Sequence, residues 1–465
     1  MPNKETTTKT TVFCTGNVLS EGKIFSRADI LIPRDTAPDA MQRWSVVACD
    51  QYTSEPEYWN AVEAAVGEAP STLRITYPEL YLNAADKEER IRAIGAAMRS
   101  YENTVLQMLP GTMIYVERKM KNGKIRHGIV GAFDLEAYSY EKGVPSPIRA
   151  TEGTVLSRIP PRVQIRRDAP LETPHVMILA DDRDNTLFSA AAEAKNTSAP
   201  IYDFDLMQNG GHITGWALNA AQCDAAEALA QSLGAPEVFA ARYHTDAAPL
   251  VFAVGDGNHS LATAKACYEA LKQEIGEEAA MQHPARFALA ELVNLHDDAL
   301  EFEPIYRVVF GVSSAVLLDA MKEAYPEMTV TEGGDPTNVP NLPNTHAFLV
   351  IAGEKTYTAM VPHPTAQLPV GTLQGFLDAF LSAHKDAEID YIHGIASTEK
   401  LARKKAAEGT NSKGENAVGF IFRGMEKDDL YRTVIFDGAL PRKTFSMGEA
   451  DEKRYYLECR TIRKP

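Results

Sequence analysis

The stretch LVFAVGDGNHS, residues 250–260, decides the fold, and LATAKACYEALKQE follows it directly. Its first half is an apolar run typical of a buried strand, and the run stops at a Gly-rich polar turn. Behind the turn, apolar residues recur at helical spacing from Leu261 to Leu271. The pattern therefore predicts a strand, a tight turn and an amphipathic helix with no intervening loop.

The turn from Gly255 to Ser260 is a candidate anion site. A helix N-terminus presents unpaired backbone N–H groups and the positive end of the helix dipole, and both favour negative charge. Gly255 and Gly257 permit backbone angles that other residues resist, and Asn258 or Ser260 could cap the helix. The alternative is a structural corner in which Asp256 and Asn258 only satisfy loop amides. Spacing alone favours neither interpretation.

Composition places the chain among ordinary globular proteins. Its 465 residues are enough for two or three domains. Sixty-three acidic residues against 47 basic ones give a net charge of -16, and no long basic stripe offsets it, so we expect neither nucleic acid nor an acidic membrane as a partner. Five scattered cysteines and the lack of an apolar leader or membrane-length run favour a cytoplasmic protein. The oligomeric state is left open.

Alternating strand and helix patterns predict a mixed α/β, or α+β, fold. A periodic segment over 86–109 indicates a helix, the Asn122-Gly123 pair indicates a hairpin, and a second helix is expected over 216–233. We divide the chain into an N-terminal α/β region, residues 1–300, that carries the anion site, and a C-terminal α+β region, residues 301–465.

A local positive segment interrupts the acidic chain between residues 149 and 167. It holds five arginines and one acid, Glu152. The guanidinium group offers a fixed fork of donors suited to phosphate and carboxylate, so Arg149, Arg158 and Arg162 are candidate charge clamps for an anionic ligand. The alternative is that each arginine pairs with a surface acid, which is the commoner fate of a single arginine.

Carboxylates follow several predicted strands. Asp50 comes after a strand predicted at 45–48, Asp181 ends the strand that begins at His175, and Asp203 and Asp205 share one strand face. Clustered oxygen ligands suit Mg²⁺ with bound phosphates, although none of these spacings is a recognised metal signature. The alternative is that these side chains cap loops.

Five sequence elements, taken in order, carry a family resemblance: residues 46–52 (VVACDQY), 255–260 (GDGNHS), 303–309 (EPIYRVV), 389–394 (IDYIHG) and 440–445 (LPRKTF). Their order and spacing resemble the bacterial and archaeal domain-of-unknown-function family 1015 (DUF1015) over most of the chain. That family typically shows Asp-Gly-His-His-Arg at the turn, a motif similar to the phosphate-facing motif of the ParB and sulfiredoxin-like superfamily. Members of that superfamily bind nucleotides and include kinases of free serine.

The resemblance implies a ParB/sulfiredoxin-like nucleotide-binding core elaborated by a second α+β lobe, and a link to serine metabolism. By this resemblance, Asp256 and His259 match the polar residues of the family's turn motif. Asn258 and Ser260 stand where His and Arg are usual. The missing arginine removes a fixed positive charge near the phosphate, and the 149–167 segment could supply it.

Together these features favour an enzyme that binds a nucleotide or phosphometabolite, best described as a small-molecule kinase acting on a hydroxyl amino acid such as free serine. ATP or ADP with Mg²⁺ is the expected cofactor. Two alternatives are a non-catalytic metabolite sensor that uses the same anion pocket and a hydrolase of a phosphorylated small molecule.

Each candidate residue has an expected role in that chemistry. Asp256 would hold Mg²⁺, His259 would donate to phosphate or act as general acid, and Asp50 or Glu152 would be the base for the acceptor hydroxyl. The expected ligand-binding residues are Gly255, Gly257, Asn258, Ser260, Arg149, Arg158, Arg162 and Lys443.

Overall fold

The computed structural model describes residues 22–155, 157, 159–403 and 417–464. Over these residues it confirms the mixed α+β class, with helices packed on two large sheets and two further sheets of two strands each, Ala28–Pro33 with Leu106–Thr112 and Leu171–Glu172 with Arg460–Thr461. In the described part of the chain, no helix is both long and apolar enough to cross a bilayer.

The α-helices of the described residues are short to medium in length. They are α1 Pro38–Trp44, α2 Pro56–Val66, α3 Lys87–Thr104, α4 Ile159–Arg166, α5 Thr186–Ala192, α6 Ala194–Thr197, α7 Ala220–Ser232, α8 Pro236–Tyr243, α9 Asn258–Ile275, α10 Glu277–Met281, α11 Ser314–Ala324, α12 Pro369–Ala383, α13 Ile395–Ala402 and α14 Lys427–Phe436.

The strands alternate with these helices along the chain. They are β1 Phe25–Ser26, β2 Ala28–Pro33, β3 Leu106–Thr112, β4 Ile114–Lys119, β5 Ile125–Asp134, β6 Tyr138–Ser139, β7 Ile148–Ala150, β8 Leu171–Glu172, β9 Met177–Ala180, β10 Tyr202–Asp205, β11 His212–Ala217, β12 Phe252–Asp256, β13 Phe287–Asn294, β14 Phe302–Phe310, β15 Thr329–Glu332, β16 Thr345–Ala352, β17 Lys355–Pro362, β18 Glu388–His393, β19 Ala417–Phe422, β20 Phe445–Met447 and β21 Arg460–Thr461.

The larger sheet positions the candidate site. Its order is β10-β11-β4-β5-β13-β9-β12-β7-β6, with β1 added beside β5. Strand β12 lies between β9, to which it is antiparallel, and β7, to which it is parallel. The opening sequence stretch is therefore an inner strand, which explains why its residues 252–254 are buried and apolar.

The second sheet has the order β15-β17-β16-β19-β14-β18, with β20 paired to β14. All of its strands lie after residue 301, and the division at residues 300 and 301 stays a prediction. Its core is continuous with that of the first sheet, because Leu179 and Leu250 belong to the same buried cluster as Phe348 and Tyr431. The Tyr431 hydroxyl donates across the junction to backbone carbonyls of β9 and of residue 251.

The C-terminal segment, residues 449–462, leaves the second sheet and returns to the N-terminal part of the chain, which we call the first lobe. Tyr455 bridges to Val47, Cys459 bridges to Leu31, and β21 pairs with β8. Side chains from 455–462 complete the apolar cluster that contains Trp44. The last part of the chain is therefore a component of the N-terminal core.

Four local predictions are wrong. Helix α3 ends at Thr104, and the following residues form β3 because they pair with β2. The helix predicted over 216–233 begins only at Ala220, because Trp216 lies in β11 opposite Tyr115.

Residues 45–48 make one isolated bridge and no strand. Neither Asn258 nor Ser260 caps α9, whose N-cap is Gly257.

A buried ion cluster fixes the returning segment. Arg454 is 3% exposed, and its guanidinium contacts Glu291 Oε2 at 2.7 Å, Glu458 Oε2 at 2.5 Å and the Pro174 carbonyl oxygen at 2.7 Å. Glu458 also accepts a hydrogen bond from the Tyr202 hydroxyl. Both carboxylates are buried, and Arg454 is the cation that contacts both of them, while Arg126 adds a longer contact to Glu291 at 3.6 Å.

We expect Arg454→Met to lower the free energy of unfolding by about 3–5 kcal/mol, because buried Glu458 loses its cation and buried Glu291 keeps only the longer contact with Arg126. Urea denaturation at pH 7 measures this change. The matched control is Arg463→Met at an exposed position, which should change stability by less than about 0.5 kcal/mol. Equal stability of the two variants would contradict the assignment of Arg454 as the anchor.

Candidate functional site

The predicted turn is present and tight. Strand β12 ends at Asp256, Gly257 adopts a left-handed φ of +77°, and α9 begins at Asn258. A Cβ atom at Gly257 would lie 3.0 Å from Val176 Cγ2, so both the angle and the space favour glycine there. The first turn of α9 consequently faces the loop after β7 and the C-terminal segment.

A lysine from the C-terminal segment reaches the turn. Lys453 Nζ lies 3.6 Å from Asp256 Oδ2. The Lys453 carbonyl oxygen accepts from buried Arg118, and its neighbour Glu452 accepts through its carbonyl oxygen from Arg126. Side chains from β4 and β5 therefore fix the backbone at residues 452 and 453.

Glu152 joins the same group of charges. It follows β7 and bridges to Leu440 of the second lobe. Burial, together with the Asp256 carboxylate, raises the pKa of Glu152 to about 7, although the Lys443 backbone N–H and the cations Arg307 and Lys453 oppose the increase. A carboxyl group that titrates near neutrality can accept or release a proton at physiological pH.

Asp50, His175, Ser260 and Tyr456 form a second polar group beside the turn. His175 is 5% exposed. Its Nε2 atom lies 3.1 Å from Ser260 Oγ and 4.0 Å from Asp50 Oδ2, while Nδ1 lies 2.7 Å from the Tyr456 hydroxyl. Burial would raise the pKa of Asp50, but His175, Gln51 and Lys453 outweigh it and hold that pKa below its ordinary value. Asp50 is thus an ionised carboxylate at neutral pH.

The loop after β7 covers the N-terminus of α9. The Val155 backbone N–H donates to His259 Nε2 at 3.3 Å. Within the described residues, two buried atoms of this region have no hydrogen-bond partner, Asn258 Oδ1 and Thr154 Oγ1. Buried polar atoms are normally paired, so these two atoms have unused hydrogen-bonding capacity.

The arginine segment lies near the turn, but its guanidinium groups are engaged elsewhere. Arg149 is buried and donates to the carbonyl oxygens of Ser146 and Ala248, each at 2.8 Å. Arg162 forms an ion pair with Glu79. Arg158 lies outside the described residues. These contacts favour Lys453 over Arg149 and Arg162 as the cation that faces the turn.

Lys443 stands on a strained loop of the second lobe. Its φ is +54°, and its Nζ lies 5.2 Å from the centroid of the Tyr391 ring. The backbone N–H of this residue, and not its ammonium group, is what contacts Glu152. Its role as an outer phosphate contact stays a prediction.

A cavity of about 160 Å³ opens beside this region between α4, α9 and residues 75–82. Cys49, His175, Ser260 and Tyr456 line one part of it, and two ion pairs, Arg162 with Glu79 and Arg166 with Glu172, also lie in its wall. The remaining wall is mostly apolar and includes Ile75, Leu82, Ile165, Leu261, Ala264 and Leu289. A ligand held at the turn could therefore extend an apolar portion into the cavity.

Metal-ligating side chains are sparse here. Among the described residues, no three His, Cys, Asp or Glu side chains are grouped so that they could hold a metal ion by themselves. A single carboxylate such as Asp256 would fit Mg²⁺ only together with the phosphates of a ligand, because Mg²⁺ commonly binds one or two carboxylates and substrate phosphates.

A comparison with protein families identifies the chain. The family described as Protein of unknown function (DUF1015) matches residues 31–380. The chain belongs to this family. The match contains the turn, Asp50, Glu152 and His175, whereas Lys453 and Tyr456 lie beyond its end. A search of curated proteins gives no match.

Several solved structures share a distant likeness with the chain. Free serine kinase in complex with AMP is 11% identical, with a TM-score of 0.36 over 74% of this chain and 94% of that chain. A conserved hypothetical protein from Pyrococcus furiosus is 12% identical, with a TM-score of 0.33 over 71% and 94%. SbnI from Staphylococcus aureus is 9% identical, with a TM-score of 0.30 over 69% and 83%.

Sequence reasoning missed three residues that the fold brings to the turn: His175, Lys453 and Tyr456. His175 was visible only as the first residue of a predicted strand. Lys453 and Tyr456 reach the site because the C-terminal segment crosses the first lobe, and no local pattern in KRYY, residues 453–456, signals that return.

We expect Glu152→Gln to remove a pH-dependent loss of stability. An ordinary glutamate titrates near 4.5, while the pKa of Glu152 in the folded chain is about 7, so the unfolded chain releases this proton first. Stability therefore falls as pH rises from 4.5 to 7. The variant should lack this fall, which at about 1.4 kcal/mol per pKa unit amounts to roughly 3 kcal/mol between pH 4.5 and pH 8.

Urea denaturation between pH 4.5 and pH 8 measures the difference. Glu354→Gln, at an exposed position, is the control and should follow the wild-type pH dependence. If Glu152→Gln also follows it, the raised pKa is refuted.

Proposed function

We propose that the turn binds the phosphate groups of a nucleotide or another phosphorylated metabolite. The observation that carries this proposal is that the Lys453 ammonium group approaches Asp256 directly before the α9 N-terminus. The buried atoms Asn258 Oδ1, at the start of α9, and Thr154 Oγ1, in the loop that covers it, also lack hydrogen-bond partners. The helix end and the lysine supply positive potential, and the Asn258 and Thr154 oxygens supply hydrogen-bonding capacity. Such a combination suits an anion with several oxygen atoms.

The proposed reaction is phosphoryl transfer to the hydroxyl group of a small molecule. In this chemistry the protein mainly positions phosphates, neutralises their charge and orients the attacking hydroxyl. Lys453 and the first-turn amides of α9 would hold the phosphates, and His259 would donate a hydrogen bond to them. Asp256 would hold Mg²⁺, which supplies further charge neutralisation when it is bound.

Glu152 is the better candidate for the base. Its pKa of about 7 lets it accept the hydroxyl proton at neutral pH, whereas the lowered pKa of Asp50 makes that carboxylate a weaker base. Asp50 also faces His175, which gives it an electrostatic role beside the transfer site. We take a hydroxyl amino acid such as free serine as the acceptor, on the family resemblance of the turn.

We expect Lys453→Met and Asp256→Asn to weaken nucleotide binding. Wild-type protein should be stabilised against heat by ATP or ADP with Mg²⁺, because a ligand that binds only the folded state raises the melting temperature. Lys453→Met removes the ammonium group and should reduce that increase sharply. Lys385→Met, at an exposed position away from the turn, is the matched control. Equal ligand-induced stabilisation in all three variants would place the nucleotide elsewhere.

A turnover assay tests the reaction itself. Full-length protein with ATP or ADP, Mg²⁺ and free serine should yield phosphoserine, and Glu152→Gln should slow this by roughly 10²–10⁴-fold because the general base is lost. Release of inorganic phosphate without an acceptor would instead indicate a hydrolase. Nucleotide binding without either product would indicate a sensor.

A further inference from the structure

Ser260 has the surroundings of an activated nucleophile. Its hydroxyl oxygen lies 3.1 Å from His175 Nε2, within hydrogen-bond distance. A hydroxyl paired with an imidazole that a third group orients is the arrangement by which enzymes activate serine. In the described part of the chain, the N-cap of α9 is Gly257 and no side chain caps this helix, so the Ser260 hydroxyl is not used as a cap.

The third group is Tyr456, and its contacts favour the imidazole tautomer that can act as a base. The Tyr456 hydroxyl oxygen accepts from the Cys49 backbone N–H at 3.2 Å, and the hydroxyl is within hydrogen-bond reach of the Cys49 thiol. With its proton directed at the sulfur, the phenol oxygen can accept from His175 Nδ1–H at 2.7 Å. Nε2 then carries the lone pair that faces Ser260.

Charge near the imidazole supports the same role. Asp50 Oδ2 lies 4.0 Å from His175 Nε2. An imidazolium ion formed when His175 takes a proton would be stabilised by this carboxylate. Lys453 lies close enough to lower the pKa of Asp50, so the phosphate-binding cation and the imidazole occupy one region.

The hydroxyl is also accessible. Ser260 and His175 both line the 160 Å³ cavity, so a ligand can reach the oxygen from that side. Leu261, Ala264 and Leu289 make part of the cavity wall apolar.

We infer that Ser260 is a nucleophile that accepts a phosphoryl group, with His175 as its base and Tyr456 as the residue that positions the base. This inference rests on the proposed function, which supplies the natural phosphoryl donor, a nucleoside triphosphate. It adds a covalent phosphoserine intermediate to the proposed transfer.

The phosphoryl group is transferred in two steps. Ser260 Oγ forms a bond to the terminal phosphorus, the bond from that phosphorus to the bridging oxygen breaks, and the nucleoside diphosphate leaves with the electron pair. The Oγ proton passes to His175 Nε2. In the second step the acceptor hydroxyl attacks the phosphorus and gives its proton to Glu152, while Ser260 Oγ leaves and regains the proton from His175.

A fluorophosphonate probe tests the nucleophile without knowledge of the natural ligand. Diisopropyl fluorophosphate should add to Ser260 Oγ with loss of fluoride, and peptide mass spectrometry should locate one adduct there. Ser260→Ala should remove the adduct, and His175→Gln should slow its formation by roughly 100-fold or more. Ser232→Ala is the control, because the Ser232 hydroxyl is exposed and donates only to the Leu229 carbonyl oxygen.

Tyr456→Phe separates positioning from mere support of the fold. It should slow labelling and shift the midpoint of the labelling rate against pH, because His175 loses its Nδ1 partner, whereas a purely structural role would leave that midpoint unchanged. Circular dichroism establishes that each variant is folded.

The two proposals fail separately. Folded wild-type protein with no adduct on Ser260, or equal labelling of the wild type and His175→Gln, overturns the nucleophile. If nucleotide does not stabilise the wild-type protein against heat but Ser260 is still labelled in a His175-dependent way, the proposed nucleotide function is refuted. The assignment of Ser260 as a nucleophile is then unaffected.

Discussion

The compensation of two buried carboxylates by Arg454 is the interaction on which the rest of the structure depends. It fastens the C-terminal segment across the first sheet, and the same guanidinium holds the carbonyl oxygen of Pro174, immediately before His175. Lys453 and Tyr456 lie on either side of Arg454 in the sequence, so this contact also positions them at the candidate site. A chain folded up to residue 448 would consequently have the turn but lack two of the groups that face it.

The electrostatic balance at the turn follows from that arrangement. Asp256 and Glu152 are both acidic and close, and the pKa of Glu152 rises because burial and Asp256 together disfavour its charge. Lys453 offsets part of this repulsion and lies at the helix N-terminus. An arriving phosphate would find one ammonium group, a set of backbone amides and a carboxyl group poised to exchange a proton near neutrality.

Local patterns predicted the strand, turn and helix on which the candidate site is built, and they failed for the elements around it. The strand, turn and helix at 250–271 were readable because apolar spacing changes period at a Gly-rich turn, and the Asn122-Gly123 hairpin was readable for the same kind of reason. Pairing with distant strands decided the cases that failed: Leu109 lies opposite Ile30, and Trp216 opposite Tyr115. Lys453 could not be found from the sequence, since its approach to Asp256 depends on the path of the whole chain.

The central claim is that the turn and the C-terminal segment form one phosphate site. A crystal structure of the full chain with ADP and Mg²⁺ tests it most directly. The account predicts ligand phosphate oxygens within hydrogen-bond distance of the α9 first-turn amides and of Lys453 Nζ. A nucleotide bound elsewhere, for example in the 640 Å³ cavity beside His212, with no phosphate at the turn, would contradict it.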